Sequence, residues 1–444
     1  MQYVTDLHLH SKYSRAVSPQ MTLPVMAEVA TQKGLDILTV CDFTHPLWFK
    51  EIQGQLDEAD EGLYRLKKEV SPHQKIRFLF STEISNIYKQ NDKLRRIHNL
   101  VFAPSMQVAE KITAALLKHG CNLSADGRPI IGLWSKQLLE LILSIDERCL
   151  LIPCHVWTPH FGIYGSASGY ESLRQAFEEL TPHIYGIETG LSSDPDMNWQ
   201  VKELMTRTIL SFSDAHSAPK MGREATIMDL EKLSYDDVRK AIMHFSVDTP
   251  NTIAYTVEFY PEEGKYHFSG HRNCKVAQGP EEIRANGNIC PVCKRRMTEG
   301  VLYRVQELAD PSLLTRVTQK INPQGLKWHT DTQQKQPPYV KLIPLNEIIA
   351  EAMHSTVASQ KVKNMFIRLC HELQSEFYIL LKAPIADIAH IAGPQVSAGV
   401  KKVREGNIAI VPGYDGEYGK VSIWNEEEEK QLKKKLSPQL SLNW

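Results

Sequence analysis

The chain lacks any run of uncharged apolar residues long enough to cross a bilayer, which would take about 20, so no membrane partner is expected. It opens on a polar stretch with no charged-then-apolar leader, so no secretory signal is read there. Disulfide-like cysteine spacing is missing too. Cys41, Cys121, Cys149 and Cys154 are scattered, Cys370 stands alone, and only Cys274, Cys290 and Cys293 cluster. That usage suits a reducing, cytoplasmic setting with one metal knuckle. No long internal repeat is present, and the composition is that of an ordinary globular protein rather than a disordered or fibrous one. A chain of 444 residues has room for two or three domains.

Net charge is nearly absent, at −1, but it conceals an asymmetry. Residues 265–341 hold 13 Lys and Arg against 6 Asp and Glu, a balance of +7, and the rest of the chain carries 38 against 46, or −8. A basic middle segment beside an acidic first half suggests a polyanion held by one part and worked on by another.

Over the first ~255 residues, short β-rich runs alternate with helical ones, the pattern of an α/β protein with parallel strands. The expected strands are "YVTDLHLH", "DILTVCD", "RFLFSTEI", "HNLVFA", "LLIPCHV", "IYGIET" and "TILSFSDAH". A helix is expected from Thr22, with Pro24 in its first turn and Gly34 at its end, and others cover about 107–118, 136–146, 170–180, 198–207 and 234–244. In a strand, residues two apart share a face, so Asp6, His8 and His10 are expected on one side, with Leu7 and Leu9 toward the core. The strand ends carry His8 and His10, Asp42, Glu83, His155, Glu188, and Asp214 with His216. His98 differs in placement, since it precedes its apolar run. Barrels of parallel strands gather their active sites at the C-terminal strand ends, and so many buried polar groups need a shared partner. The expectation is a multi-metal site with Glu83 as a bridge between ions, because each of its oxygens can bind one. Histidine favours zinc, whereas Asp42, Glu83 and Asp214 accommodate Mg²⁺ or Mn²⁺.

Near Tyr260-Pro261 the alternation stops. His271-x2-Cys274 and Cys290-x2-Cys293 follow, separated by 15 residues, a spacing that matches a structural zinc with a full tetrahedral ligand set. His267 competes with His271 for the first place. The stretch "NPQGLKWHTDTQQKQPPYVKLIPL" reads as an ordered loop between modules, and a mainly helical region follows it. The run "NEEEEKQLKKKL" reads either as a helix with ion pairs four residues apart or as a solvated tail.

These motifs resemble the polymerase and histidinol phosphatase (PHP) family of metal-dependent phosphoesterases. The shared elements are "DLHLH", the aspartate of "TVCDFTH", the glutamate of "STEIS", the histidines of "RIHNL" and "PCHVW", and "FSDAH". Over about 250 residues the resemblance implies a distorted seven-stranded (β/α) barrel holding up to three divalent ions (Zn, Mn or Mg). The implied metal ligands are His8, His10, Asp42, Glu83, His98, His155, Asp214 and His216, with Asp214, His155 and Glu83 as catalytic groups. The family usually has His after the aspartate of its second motif, where Phe43 stands, so His45 competes with Asp42. Taken with the knuckle, "QPPYVKLIPL" and "IVPGYDGEYGKVSIW", the chain as a whole is similar to the endonuclease Q family. That resemblance implies a DNA repair endonuclease cutting 5′ to deaminated bases (uracil, hypoxanthine, xanthine) and abasic sites, in double- or single-stranded DNA.

The expected organisation is a phosphoesterase domain over 1–260, a zinc-knuckle module over 261–305 and a DNA-binding region over 306–444. In the last, "AHIAGPQVSAGVKKVREG" is similar to a helix-hairpin-helix. Trp157, His160, Phe161 and Tyr164, in the glycine-rich loop after His155, have the composition to stack on an extruded nucleotide. Lys294, Arg295 and Arg296 suit phosphate contacts. Gln439, Leu440, Leu442 and Trp444 resemble the peptide by which bacterial repair enzymes dock on the sliding clamp. Two other classes compete: a small-molecule phosphatase of the histidinol-phosphate type, and a non-catalytic DNA-binding factor.

Overall fold

The computed structural model describes residues 1–244, 250–314, 317–333 and 335–428. The clamp-like residues Gln439, Leu440, Leu442 and Trp444 lie outside the described residues.

Strands form in each of the seven expected places: β1 (Gln2–Asp6), β2 (Ile37–Thr39), β3 (Arg77–Gln90), β4 (Lys93–Ala103), β5 (Leu150–Pro153), β6 (Gly186–Glu188) and β7 (Thr208–Leu210). β1, β2 and β3 run parallel, as do β6 and β7. The Val156 N–H donates to Glu188 O at 3.1 Å, linking the ends of β5 and β6. Leu9 bridges Ala215, which brings the chain after β7 back beside β1. The outcome is an α/β fold built on a distorted barrel.

The pairing is not parallel throughout. β3 and β4 form an antiparallel hairpin, and β4 pairs antiparallel with β5. The reversal is made by Asn91-Asp92, both with positive φ (50° and 60°), the backbone that a two-residue hairpin turn requires and that Asn and Asp tolerate. It explains the odd placement of His98: on an antiparallel strand, the residue level with the other strand ends precedes the apolar run. His98 pairs in register with Ser85, two residues beyond Glu83.

Alternating strand residues feed two apolar clusters, as a period of two requires. Leu79, Leu100, Phe102, Leu150, Ile152 and Leu210 join side chains of helix Tyr235–Met243. Phe78, Phe80, Val101, Leu151 and Ile209 pack with helices Leu23–Lys33, Met106–Lys118 and Ser135–Ile145. The first of those helices has Pro24 in its first turn and stops at Gly34 in the left-handed region (φ 83°).

Beyond β7, β8 (Ala225–Asp229) pairs antiparallel with β1, and β9 (Thr252–Glu258) with β8. Tyr339–Lys341 then adds parallel to β9 and pairs with Lys327–Asp331. The stretch read as a loop therefore contains two strands, and one sheet crosses the expected boundaries at 260 and 305. Aromatic burial drives this. Trp328 packs edge-on to Tyr255 at 5.0 Å and Tyr339 to Trp199 at 5.6 Å, while Pro337 and Pro338 stand just outside the strand, before its first residue.

Helices Leu345–Ala352, Gln360–Glu372, Glu376–Leu381 and Ile385–Glu405 follow, and after them Ala409–Val411 pairs antiparallel with Lys420–Ser422. The last of these helices is broken at Gly393 (φ 86°, ψ 171°), giving two helices joined by a tight turn. Among the described residues, no helix is long and apolar enough to cross a membrane.

Candidate metal centre

β1 ends at Asp6, and Asp6 stays outside the groups that the two histidines join. It is buried and accepts hydrogen bonds from Ser213 N (3.0 Å), Ser213 Oγ (2.6 Å) and Gly222 N (2.8 Å). Burial outweighs these bonds and lifts its carboxyl to about 6. Leu7 and Leu9, beyond the end of the regular strand, reach different apolar clusters.

His8 and His10 meet Glu83 and Asp214. Ligand-capable atoms of these four lie within 4.8 Å of one another. His10 Nε2 is 3.0 Å from Asp214 Oδ1 and 3.2 Å from Glu83 Oε2, and His8 Nε2 is 3.7 Å from each. A second group joins on the other oxygen: Glu83 Oε1 is 2.5 Å from His98 Nδ1 and 3.3 Å from His155 Nε2. The two oxygens of one carboxylate thus face two donor groups, as expected of a bridge.

The residues fit a pair of cations. His8 Nε2, His10 Nε2 and Asp214 Oδ1 are buried without a hydrogen bond, a costly state unless a common partner sits between them. Although burial opposes a charged imidazole, the carboxylates around His8 and His10 raise both pKa values well above the usual one. Such a negative field attracts a cation. His98 goes the other way, lowered to about 4 by burial and by the His155 and Arg128 charges, which leaves a neutral imidazole ready to ligate.

A supporting layer aims the rings. Glu188 Oε1 is 2.8 Å from His8 Nδ1, and its Oε2 accepts from His155 N at 2.9 Å. Thr158 Oγ1 is 3.0 Å from His155 Nδ1. Such contacts to one ring nitrogen turn the other toward the centre. Asp42 belongs to this layer rather than to the ligand groups: Oδ1 is 3.3 Å from His10 Nδ1, and Oδ2 accepts from Ser11 N at 2.6 Å and Ser14 Oγ at 2.8 Å. Its competitor His45 is also elsewhere, capping helix Pro46–Gln55 and stacked on Tyr13 at 4.5 Å. His216 joins neither group. It is half-buried, with Nδ1 2.9 Å from the Asp214 carbonyl and its ring 4.7 Å from that of His10. Asp42, His155 and Asp214 all have positive φ (42°, 28° and 46°), and strain of this kind concentrates at functional sites.

Arg128 was invisible to sequence reasoning. It comes from the loop "SADGRPI", which has no periodicity, yet its Nη1 lies 3.0 Å from Glu83 Oε2. The centre opens into a cavity of 1070 Å³ whose lining carries Arg15, Lys220, Arg223 and Lys265 together with Asp126, Glu263 and Glu347.

The aromatic loop after His155 divides. His160 and Phe161 line the cavity, with Phe161 4.4 Å from the His98 ring. Trp157 and Tyr164 do not, which corrects their expected stacking role: both are fully buried and stacked on each other at 4.8 Å. The Trp157 indole donates to Asn198 Oδ1 and the Tyr164 hydroxyl to Glu203 Oε1. Large rings with satisfied polar tips are core, whatever the loop composition suggests.

His271, Cys274, Cys290 and Cys293 also converge within 4.8 Å, with Cys293 Sγ 3.2 Å from His271 Nδ1. His267 is outside the group and stacks on Phe268, which decides the competition for His271. Against the cost of burial, the Cys293 and Val292 N–H groups and His271 bring the Cys290 thiol down to about 6, while burial and the neighbouring thiols push Cys274 up to about 11, so Cys290 is the thiolate of this cluster. Lys294, Arg295 and Arg296 project into solvent from this knuckle and do not line the cavity.

Comparison with known proteins places this geometry in context. Residues 344–407 match the family model described as the MJ0043 C-terminal domain. The uncharacterized protein YqxK of Bacillus subtilis is 27% identical over 94% of this chain and 98% of its own length. The uncharacterized protein MJ0043 of Methanocaldococcus jannaschii is 28% identical over 61% of this chain, and the match spans only 32% of that relative. Among solved structures, the chain resembles the lesion-specific endonuclease Q of Pyrococcus furiosus, with a TM-score of 0.79 and 29% identity over 97% of each chain. The same TM-score and identity hold for an endonuclease Q complex with a 27-mer duplex carrying an abasic lesion at the active site, over 97% of this chain and 98% of that one.

Proposed function

We propose that this chain is a metal-dependent DNA endonuclease that cuts beside damaged nucleotides, abasic sites and deaminated bases (uracil, hypoxanthine, xanthine), on their 5′ side. The observation that carries this reading is Glu83, whose two oxygens face separate donor groups beside an open cavity lined by His98, Arg128, His155 and Asp214. Likeness over nearly the whole chain to an enzyme captured with abasic DNA supports the choice of substrate. A small phosphate ester would need neither so wide a cavity nor the knuckle.

His8, His10, Glu83 and Asp214 would hold one divalent ion, and Glu83, His98 and His155 a second. Bound ions supply hydroxide at neutral pH and neutralise the charge of the phosphodiester. The chain's own work is placement. Glu188 and Asp42 fix the two ring nitrogens of the HxH motif, and Arg128, with a guanidinium near Glu83, is placed to meet a non-bridging phosphate oxygen. His216, half-exposed beside Asp214, has its pKa lowered by burial, so it is placed as a neutral ring to take up a proton beside the reacting phosphodiester. A structural zinc would occupy His271, Cys274, Cys290 and Cys293. Residues 439–444 would tether the enzyme to the sliding clamp and so raise its concentration near DNA.

The test is direct. The protein with Mn²⁺ is incubated with labelled duplexes holding one abasic site, uracil or inosine, beside an undamaged control. A nick 5′ to the lesion is expected. Hydrolysis of histidinol phosphate with every duplex left intact would overturn the reading.

A further inference from the structure

The stretch "PGYDGEYGK", residues 412–420, has no part in the metal centre, yet the fold invests heavily in it. Gly413 N donates to Glu262 O (2.8 Å), Gly416 N to Lys265 O (2.9 Å) and Gly419 N to Glu263 O (3.0 Å), and Phe268 N donates back to Gly413 O (2.9 Å). Asp415 Oδ2 accepts from Arg272 N at 2.7 Å. The approach is so close that a Cβ at Gly413 would sit 2.4 Å from Gly264 O, and one at Gly419 2.2 Å from Glu262 O. A loop sewn down at this many points is rigid.

What it holds out is Tyr418. Among the described phenylalanines, tyrosines and tryptophans this ring alone is exposed, with 71% of its surface accessible. It lines the same cavity as His155, Asp214 and His216. Lys265 Nζ stands 4.5 Å from the ring centroid. One aromatic face is thus paired with an ammonium, and the remaining surface is open to the cavity. A rigid loop that presents an unburied ring gains nothing for folding from that ring, because little of its area leaves water.

We propose that Tyr418 and Lys265 form a strand-docking subsite, in which the ring stacks on a base flanking the damaged nucleotide and the ammonium contacts a neighbouring phosphate. The inference rests on the DNA endonuclease reading above. Stacking suits this task because every base offers a π-face, so flanking sequence need not be read. The subsite supplies the aromatic platform that the buried Trp157 and Tyr164 do not.

The experiment uses the full chain with Mn²⁺ and abasic duplexes carrying 2-aminopurine next to the lesion. Wild type is expected to quench the probe on binding, because stacking quenches it. Tyr418→Ala should lose the quench and raise KM about 5- to 150-fold, the range that loss of one base–aromatic stack gives. Tyr418→Phe and Tyr418→Trp should retain both properties, which separates stacking from any role of the hydroxyl. Lys265→Ala should flatten the dependence of log affinity on log salt by about one phosphate contact. An unchanged melting temperature in Tyr418→Ala excludes a structural origin. Tyr418→Ala with wild-type KM and quench overturns the subsite while leaving the endonuclease reading intact. Wild type that neither binds nor cuts the duplex overturns both.

Discussion

Lys33→Met is expected to loosen the docking of residues 344–407 on the barrel. Lys33 ends helix Leu23–Lys33 and Glu376 begins helix Glu376–Leu381. Their Nζ and Oε2 are 2.5 Å apart, and the side chains are 3% and 5% exposed. The other carboxylate oxygen accepts the Leu345 N–H at 2.7 Å, so Glu376 also secures the start of helix Leu345–Ala352. Methionine fills the lysine stem but leaves the carboxylate buried without its counter-charge, a change that typically costs about 3–5 kcal/mol. Lys33→Met/Glu376→Gln removes both charges and keeps an oxygen for Leu345, so most of the loss should return. Urea denaturation followed by limited proteolysis of the C-terminal helices reads both effects. Since Glu347 lines the cavity from this segment, kcat/KM on an abasic duplex should fall with docking in the single variant and recover in the double. A single variant as stable as wild type, or a double variant worse than the single, would refute the reasoning.

The strands were legible because their residues alternate or run apolar between clear breaks. The metal donors were legible because they end those strands. Pairing direction was not, since "QNDK" looks like any polar turn until both φ values are known to be positive, and reversing that one connection moves His98 into line with the rest. Asp42 shows a second limit. A carboxylate at a strand end has two directions open to it, and only the positions of Ser11, Ser14 and His10 show that it is set against the His10 ring nitrogen, outside the two converging donor groups. Trp157 and Tyr164 show a third, because composition cannot separate a ring that stacks on a ligand from one that stacks on its neighbour. Arg128 carried no pattern at all, and Tyr418 lay in a stretch that stood out only by its resemblance, with nothing to single out that ring. Each sits in an irregular segment whose course is fixed by distant parts of the chain.

Asp214→Ala and His8→Ala should abolish cutting and lower bound metal while leaving DNA affinity largely intact, as elemental analysis and a gel-shift assay will check. Cys290→Ser should remove one equivalent of zinc without touching activity-linked metal in the barrel; unchanged zinc would contradict the knuckle. Deleting residues 439–444 should weaken binding to the sliding clamp in a titration, and equal affinity with or without them would remove the docking role. The last prediction concerns pH. Glu258 is fully buried, bonded to Thr256 Oγ1, to Ser211 Oγ at 3.0 Å and to Thr189 Oγ1 at 3.2 Å. Burial, with the Asp194 charge adding, lifts its carboxyl from 4.5 to about 8. Its neighbour Glu224, likewise buried, is raised by burial and by Glu258 itself. Between those two values the folded chain keeps a proton that the unfolded chain has released, so stability must fall as pH rises through this window and level off above it. At pH 7 the loss relative to acid is about 3 kcal/mol. Glu258→Gln holds the neutral amide at every pH, so it should melt higher than wild type at pH 8 and not at pH 4.5. Equal melting differences at both values would mean that Glu258 is ionised in the fold and that the buried hydroxyls around it suffice to keep it so.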